Sequence, residues 1–435
     1  MLKLFVNSLN SKSVNATIGQ RNNMKAKIKC TKFSCKRDNL NIRGFSYLNQ
    51  LNEAELTKGK KLKPVVLCHS FLRNQKSMDS YARVLAASGY AAFTFDFCGG
   101  STKSKSDGNS TDMTLLTEVQ DLQNVVEYVS SLDYVDADEL SLMGFGLGGL
   151  VVSLFVSRNR PDIKKIILLY PTFSAPEDAR RGQLVTALFD PDNPPEKFEC
   201  GPMKLGRRYV TDAQSIDVIK ELKQYSGAVC IIHGDKDSMV DTQYSKDALQ
   251  IYRQNSKDKA DAQSKQLYII KGGTHGFNRM HEYYAQNIIE QFLENRFQLM
   301  DISVQLKENK VTREKGIKTE KASFAGKVEG EFFRGKIQEG AENIEQWKGR
   351  KPVSLSSSYV IKGYDYAGQR VRIDLKNQST DGKNWKQEIT TDSEALKLMG
   401  IEKDPHMVME YRNSGPYMRL FVSFDGIQFI QKEGK

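Results

Sequence analysis

The sequence predicts a chain in two parts: a mostly parallel sheet with helices on both faces, then an antiparallel β domain. Three observations carry that reading. Short apolar runs alternate with stretches of helical periodicity through the first two thirds of the chain. That rhythm stops near Leu299 and gives way to short alternating runs. And 435 residues are too many for one ordinary core.

Taken in order, residues 1–24 form a basic arm. Nine Lys or Arg and no Asp or Glu lie within residues 1–37, so much of the formal charge of +11 sits there. A basic arm can touch phosphates or an anionic surface, but clustered charge is more often a solvated tail, and no nucleic-acid partner is expected. The apolar patch in MLKLFVNSL is too short for a signal-peptide core. The arm reads either as an organelle-targeting peptide or, preferred here, as sequence ahead of a true start at Met24. From Lys25 to Tyr47 two strands are expected around a turn at Arg37, Asp38 and Asn39. The run beginning Pro64-Val-Val-Leu-Cys is a fully apolar strand, of the kind buried in a parallel sheet. A helix follows from about Ser77 to Ser88, then a strand from Ala91 and a Gly/Ser-rich loop through Ser110. Residues Met113 to Leu132 carry Leu115, Val119, Leu122, Val126 and Val129 at helical spacing.

The alternation continues with a strand at Leu140 to Met143, a helix from about Leu150 and a strand at Ile166 to Leu169. After Pro171 it breaks for some forty residues that include a DPDNPP turn. It resumes with strands at Gly227 to Ile232 and Gln266 to Ile270, and helices at Asp241 to Gln254 and His281 to Leu299. Beyond that, Ser357-Ser-Tyr-Val-Ile, Arg370-Val-Arg-Ile-Asp-Leu and the run from Met418 suggest an antiparallel sheet or barrel. The expected domains are therefore 25–299 and 322–435, joined by a charged linker over 300–321.

Composition excludes several classes. With 39% hydrophobic and 27% charged residues the chain is neither disordered nor membrane-embedded, and no apolar run reaches the roughly 20 residues a spanning helix needs. Six scattered cysteines show no CxxC pair and no metal-ligand spacing, as expected for cytoplasmic cysteines used as small hydrophobes. No metal or cofactor is expected.

Of the five histidines, His69, His233 and His275 end or follow predicted buried strands, where the active sites of such sheets form. Gly144-Phe-Gly-Leu-Gly148 joins a strand to a helix in the layout of a nucleophile elbow, G-x-S-x-G, but the serine slot holds Gly146. The same string fits G-x-G-x-x-G through Gly144, Gly146 and Gly149. It comes too late in the chain, and without the ribose-binding acid, to be a dinucleotide loop.

With these residues in order the chain resembles the α/β-hydrolase family, and within it the bacterial cinnamoyl and feruloyl esterases. The resemblance runs through His69-Ser-Phe, Phe95-Asp-Phe with Ser106-Asp-Gly, the elbow, Gly206-Arg-Arg-Tyr-Val-Thr-Asp-Ala-Gln, His233-Gly-Asp-Lys-Asp and Gly273-Thr-His-Gly-Phe. It implies Asp237 as triad acid, His275 as base, and the Phe71 and Leu147 amides as an oxyanion hole. It also implies a small lid over about 172–212. Two positions depart from the family pattern, which usually has Gly at Ser70 and requires Ser at Gly146. Ser70 and Cys98 are possible substitute nucleophiles, but neither sits on the elbow, and a loop Ser or Cys is more often structural. The β domain resembles a small bacterial β-barrel family of unknown function, through Phe324-Ala-Gly-Lys-Val-Glu-Gly-Glu-Phe-Phe-Arg-Gly-Lys-Ile and Arg372-Ile-Asp-Leu-Lys-Asn. The expectation is a hydrolase of small, possibly aromatic, carboxylic esters, with a silent binding protein as the alternative.

Overall fold

A computed structural model of the chain describes residues 27–423, apart from 53–55, 57–58, 382–385 and 413–414. The basic arm and the start at Met24 lie outside the described residues. The chain divides into two compact units that meet at Glu290 and Gln291.

The first unit, from Lys25, is built on an eight-stranded sheet. Its strands are β1 (Ile28–Arg37), β2 (Leu40–Asn49), β3 (Pro64–Cys68), β4 (Ala91–Phe95), β5 (Ser141–Phe145), β6 (Lys165–Leu169), β11 (Ala228–Gly234) and β12 (Lys265–Ile270). Their order is β1-β2-β4-β3-β5-β6-β11-β12. The first two pairings are antiparallel, and every pairing from β4 to β12 is parallel. β3, β4 and β5 are buried along their whole length, as strands covered on both faces must be. The β1–β2 hairpin turns where expected, with Asp38 at φ 51°.

The covering helices are α1 (Asp79–Ala87), α2 (Leu115–Ser130), α3 (Leu147–Arg158), α7 (Thr242–Gln254) and α9 (Arg279–Leu293). Thr114 caps α2 through a reciprocal bond pair with Thr117. α3 begins at Leu147, directly on the elbow and three residues before the expected start. Gly148 and Gly149 are poor helix formers and hid its first turn. α9 ends at Leu293 rather than Leu299, because Asn295 takes a left-handed φ of 59° and releases the chain into a strand. The irregular segment after Pro171 folds into α4 (Ala175–Arg180), the hairpins β7 (Gln183–Leu184)–β8 (Ala187–Leu188) and β9 (Lys197–Cys200)–β10 (Met203–Gly206), and then α5 (Arg207–Gln214). The short helices α6 (Val218–Leu222) and α8 (Lys259–Gln263) complete the unit.

The second unit is a nine-stranded antiparallel sheet: β13 (Arg296–Glu314), β14 (Ile317–Glu329), β15 (Phe333–Ile337), β16 (Glu342–Lys348), β17 (Lys351–Asp365), β18 (Arg370–Ser379), β19 (Lys386–Thr391), β20 (His406–Arg412) and β21 (Gly415–Ser423), with one short helix, α10 (Glu394–Leu398). Alternation is clean in β18, where Val371, Ile373 and Leu375 point into a core shared with Tyr359 and Ile361. Among the described residues no pairing joins β19 to β20, so the pairings describe an open sheet rather than a closed barrel.

The expected linker is corrected here. Residues 300–321 are not a connector but most of the β13–β14 hairpin, paired to its tip at Glu314 and Ile317 around Lys315-Gly316. Residues Leu306 to Glu314 of β13 are almost entirely exposed, so backbone bonds rather than burial hold that end of the ladder, and its Lys and Glu residues masked the strand pattern.

Candidate active site

In the parallel sheet, successive strands lead away from β3 on opposite sides, β4 on one and β5 on the other. A crevice opens at the carboxyl ends of strands where the order switches in this way. The loops after β3 and β5 meet there.

At the end of β5 the chain turns sharply into α3 through Gly146, with φ 51° and ψ −118°. Glycine adopts this freely and other residues rarely do. Its amide donates to Leu169 O (2.9 Å), and its carbonyl accepts from Gly149 and Thr172 (3.0 Å each). The flanking glycines are required by close approach. A Cβ on Gly144 would lie 2.3 Å from Gly148 O, and one on Gly148 would lie 2.5 Å from Cys68 O. The turn from β5 into α3 is therefore sharp and closely packed, and its apex, Gly146, carries no side chain.

The loops after β11 and β12 supply Asp237 and His275, and the structure brings the two together. His275 Nδ1 lies 2.9 Å from Asp237 Oδ2, and the carboxylate is fully buried. Its other oxygen accepts from the Met239 and Val240 amides at 2.8 and 3.0 Å. His233, at the end of β11, adds a contact that sequence reasoning missed: its Nε2 lies 3.0 Å from the same Asp237 oxygen. That nitrogen faces a second acceptor, Val240 O at 3.2 Å, so it carries the proton, while Nδ1 meets Ser245 Oγ at 2.7 Å. Burial pushes the Asp237 pKa up, but the bonds from His233, His275 and the Val240 amide outweigh it and hold the carboxyl well below its usual range. The available signal was positional, since His233 ends a buried strand four residues before Asp237.

The loop after β3 is held just as firmly. His69 is buried; its Nε2 accepts from the Phe97 amide (3.2 Å), which leaves the proton on Nδ1 to be donated to Ser70 O (2.9 Å). Burial drives its pKa down, in keeping with a neutral ring. Ser70 O also accepts from Arg73 N (3.0 Å), closing a turn in which Leu72 sits at φ 61°. The amides of Phe71 and Leu147 donate to no acceptor among the described residues.

Strain gathers around this site. Of the six described non-glycine residues with positive φ, Leu72 and Val185 line the pocket, and Tyr170 packs its ring 4.8 Å from that of His275. The pocket itself encloses about 670 Å³ and opens onto Ser70 and His275. Phe71, Leu147, Leu184, Leu205, Tyr209 and Met239 give it an apolar wall, and Val185, Leu184 and Leu205 bring the segment expected as a lid into that wall. Cys98 does not line it. Its amide donates to Asp121, which pairs with Arg37, and burial pushes its thiol pKa up to about 12. A thiol so protonated is no nucleophile at neutral pH. Among the described residues no cluster suited to a metal ion is present.

The first unit has the α/β-hydrolase fold. Residues 59–190 match the family described as serine aminopeptidase, S33. Two solved structures of Est1E from Butyrivibrio proteoclasticus are similar to this chain. One, with ferulic acid bound, has 28% identity and a TM-score of 0.53, over 60% of this chain and 98% of the other. The second has 27% identity and a TM-score of 0.51 over the same shares. No curated protein matches the chain. Among the described residues no helix is long and apolar enough to cross a membrane.

Proposed function

We propose that the first unit is a carboxylic-ester hydrolase for small esters, with an aromatic acyl group as its preferred cargo. His275 acts as general base, Asp237 orients it and stabilises its charged form, and the Phe71 and Leu147 amides receive the developing oxyanion. The observation that carries this reading is the 2.9 Å His275–Asp237 contact at a buried carboxylate, facing a 670 Å³ pocket. Aromatic acyl groups fit the Phe71–Tyr209 wall, whose rings stand 6.0 Å apart. The similarity to Est1E with ferulic acid bound supports the same choice.

The test is release of product from a short-chain nitrophenyl ester and from methyl ferulate. The wild-type chain should turn over both, and His275→Ala should lose at least about 10²-fold, the least that removing a general base costs. A His275→Ala variant as active as wild type would sink the proposal. Gly146 favours a second reading, a binding protein that keeps the pocket without chemistry. In that case ferulate binds, the ester persists, and His275→Ala alters neither.

A further inference from the structure

We propose that Ser70 is the nucleophile of this site, its hydroxyl standing where an elbow side chain would otherwise be. The proposal rests on the ester-hydrolase reading and names the atom that would carry the acyl group.

Register brings the two positions together. β3 and β5 are parallel neighbours with Cys68 opposite Gly144, so residues 70 and 146 each lie two steps beyond a matched pair. A Cβ built on Gly146 would lie 2.2 Å from Ser70 Oγ, 3.0 Å from Ser70 Cβ and 3.4 Å from His275 Nε2. Contacts under 3 Å do not occur between such atoms, so with the Ser70 hydroxyl in this position the space before His275 admits no side chain on residue 146. Ser70 fills it. The two departures from the family pattern, Ser at 70 and Gly at 146, are then one exchange: the hydroxyl has crossed from the end of β5 to the end of β3, and glycine at 146 leaves it room.

The surroundings suit the task. The Ser70 carbonyl is pinned by His69 Nδ1–H and Arg73 N–H, which fixes the backbone from which the hydroxyl projects. Ser70 is half-buried and faces the same pocket as His275, Phe71 and Leu147. In the reaction His275 Nε2 takes the Ser70 hydroxyl proton as Oγ bonds to the ester carbonyl carbon. The carbonyl electron pair moves to oxygen beside the Phe71 and Leu147 amides. Collapse breaks the bond to the alkoxy oxygen, which leaves as alcohol with the proton from His275. Water then attacks the acyl-Ser70 ester and gives a proton to His275. The Oγ–carbon bond breaks, Oγ recovers that proton, and the net change is ester plus water to acid plus alcohol.

The experiment treats the full chain with a fluorophosphonate and reads intact mass and peptide maps, alongside ester turnover. Wild type should gain one adduct, mapped to Ser70. Ser70→Ala should gain none and lose at least about 10³-fold in turnover, a lower bound set below the roughly 10⁶-fold loss that removing a protease's serine nucleophile costs. The double variant Ser70→Gly/Gly146→Ser should be labelled at position 146, which also shows that the pocket survives changes at residue 70. No adduct on wild type, an adduct at another residue, or Ser70→Ala within threefold of wild type would overturn the proposal. If His275→Ala loses turnover while Ser70→Ala keeps it, ester hydrolysis stands and Ser70 falls. If Ser70 is labelled but no ester is cleaved, the nucleophile stands and the choice of substrate falls.

Discussion

Asp237 carries the most consequential charge in the site, since two histidines and two amides converge on one buried carboxylate. Its pKa is lower in the folded chain than the roughly 3.9 of an unfolded Asp, so it adds stability above that pH, and the gain is lost as pH falls through the folded value. Urea unfolding of wild type and Asp237→Asn should therefore differ most at neutral pH and converge in strong acid; a gap that does not change with pH would count against this ionisation. The same substitution should cut ester turnover by about 10²–10⁴-fold, the upper figure being that for loss of a triad acid's charge. His233 contacts Asp237 and does not line the pocket, so in the proposed hydrolase its part is to position the acid. Its replacement by Gln should lower kcat while leaving KM within about twofold, read in steady-state assays. Cys98 lies off the pocket with a pKa near 12, so Cys98→Ala should keep wild-type turnover.

At the scale of elements, the turn from β5 into α3 is the most tightly determined piece of backbone. Gly148 crosses Cys68 and His69 so closely that a Cβ would meet both carbonyl oxygens at 2.5 Å. Backbone cannot yield as a side-chain tip can, so Gly148→Ala should destabilise the first unit by about 1–3 kcal/mol in denaturant unfolding. A single Gly146→Ser change faces a softer obstacle, the Ser70 hydroxyl, which can rotate away. It should fold, but with two hydroxyls competing before His275, and should be less active than the double variant that also removes Ser70. The spacing of Leu115, Val119, Leu122, Val126 and Val129 made α2 legible, because all five are buried. The hairpin at 300–321 was not legible: a ladder exposed at its tip needs no apolar alternation, and alternation is what a sequence reader looks for.

Among the described residues two hydrophobic clusters form, one in the first unit around Val66, Phe93 and Leu142, the other in the second around Ile302, Tyr359 and Ile373. Because neither core borrows residues from the other, calorimetry of the full chain should resolve two unfolding transitions, and an ester-like ligand should raise only one of them. The sequence by itself determined the alternation of strands and helices and the glycine turn after β5, and its resemblance to a known family pointed to Asp237 and His275. The alternation and the turn are local and their residue types announce them, while the acid and base follow from chain order in the resemblance. Only the tertiary structure decided that β3 lies beside β5 with Cys68 against Gly144. Strand order is a matter of long-range pairing that no periodicity records. It places the hydroxyl of Ser70, a loop residue 76 positions before Gly146 in the numbering, within 2.2 Å of where a side chain on Gly146 would begin.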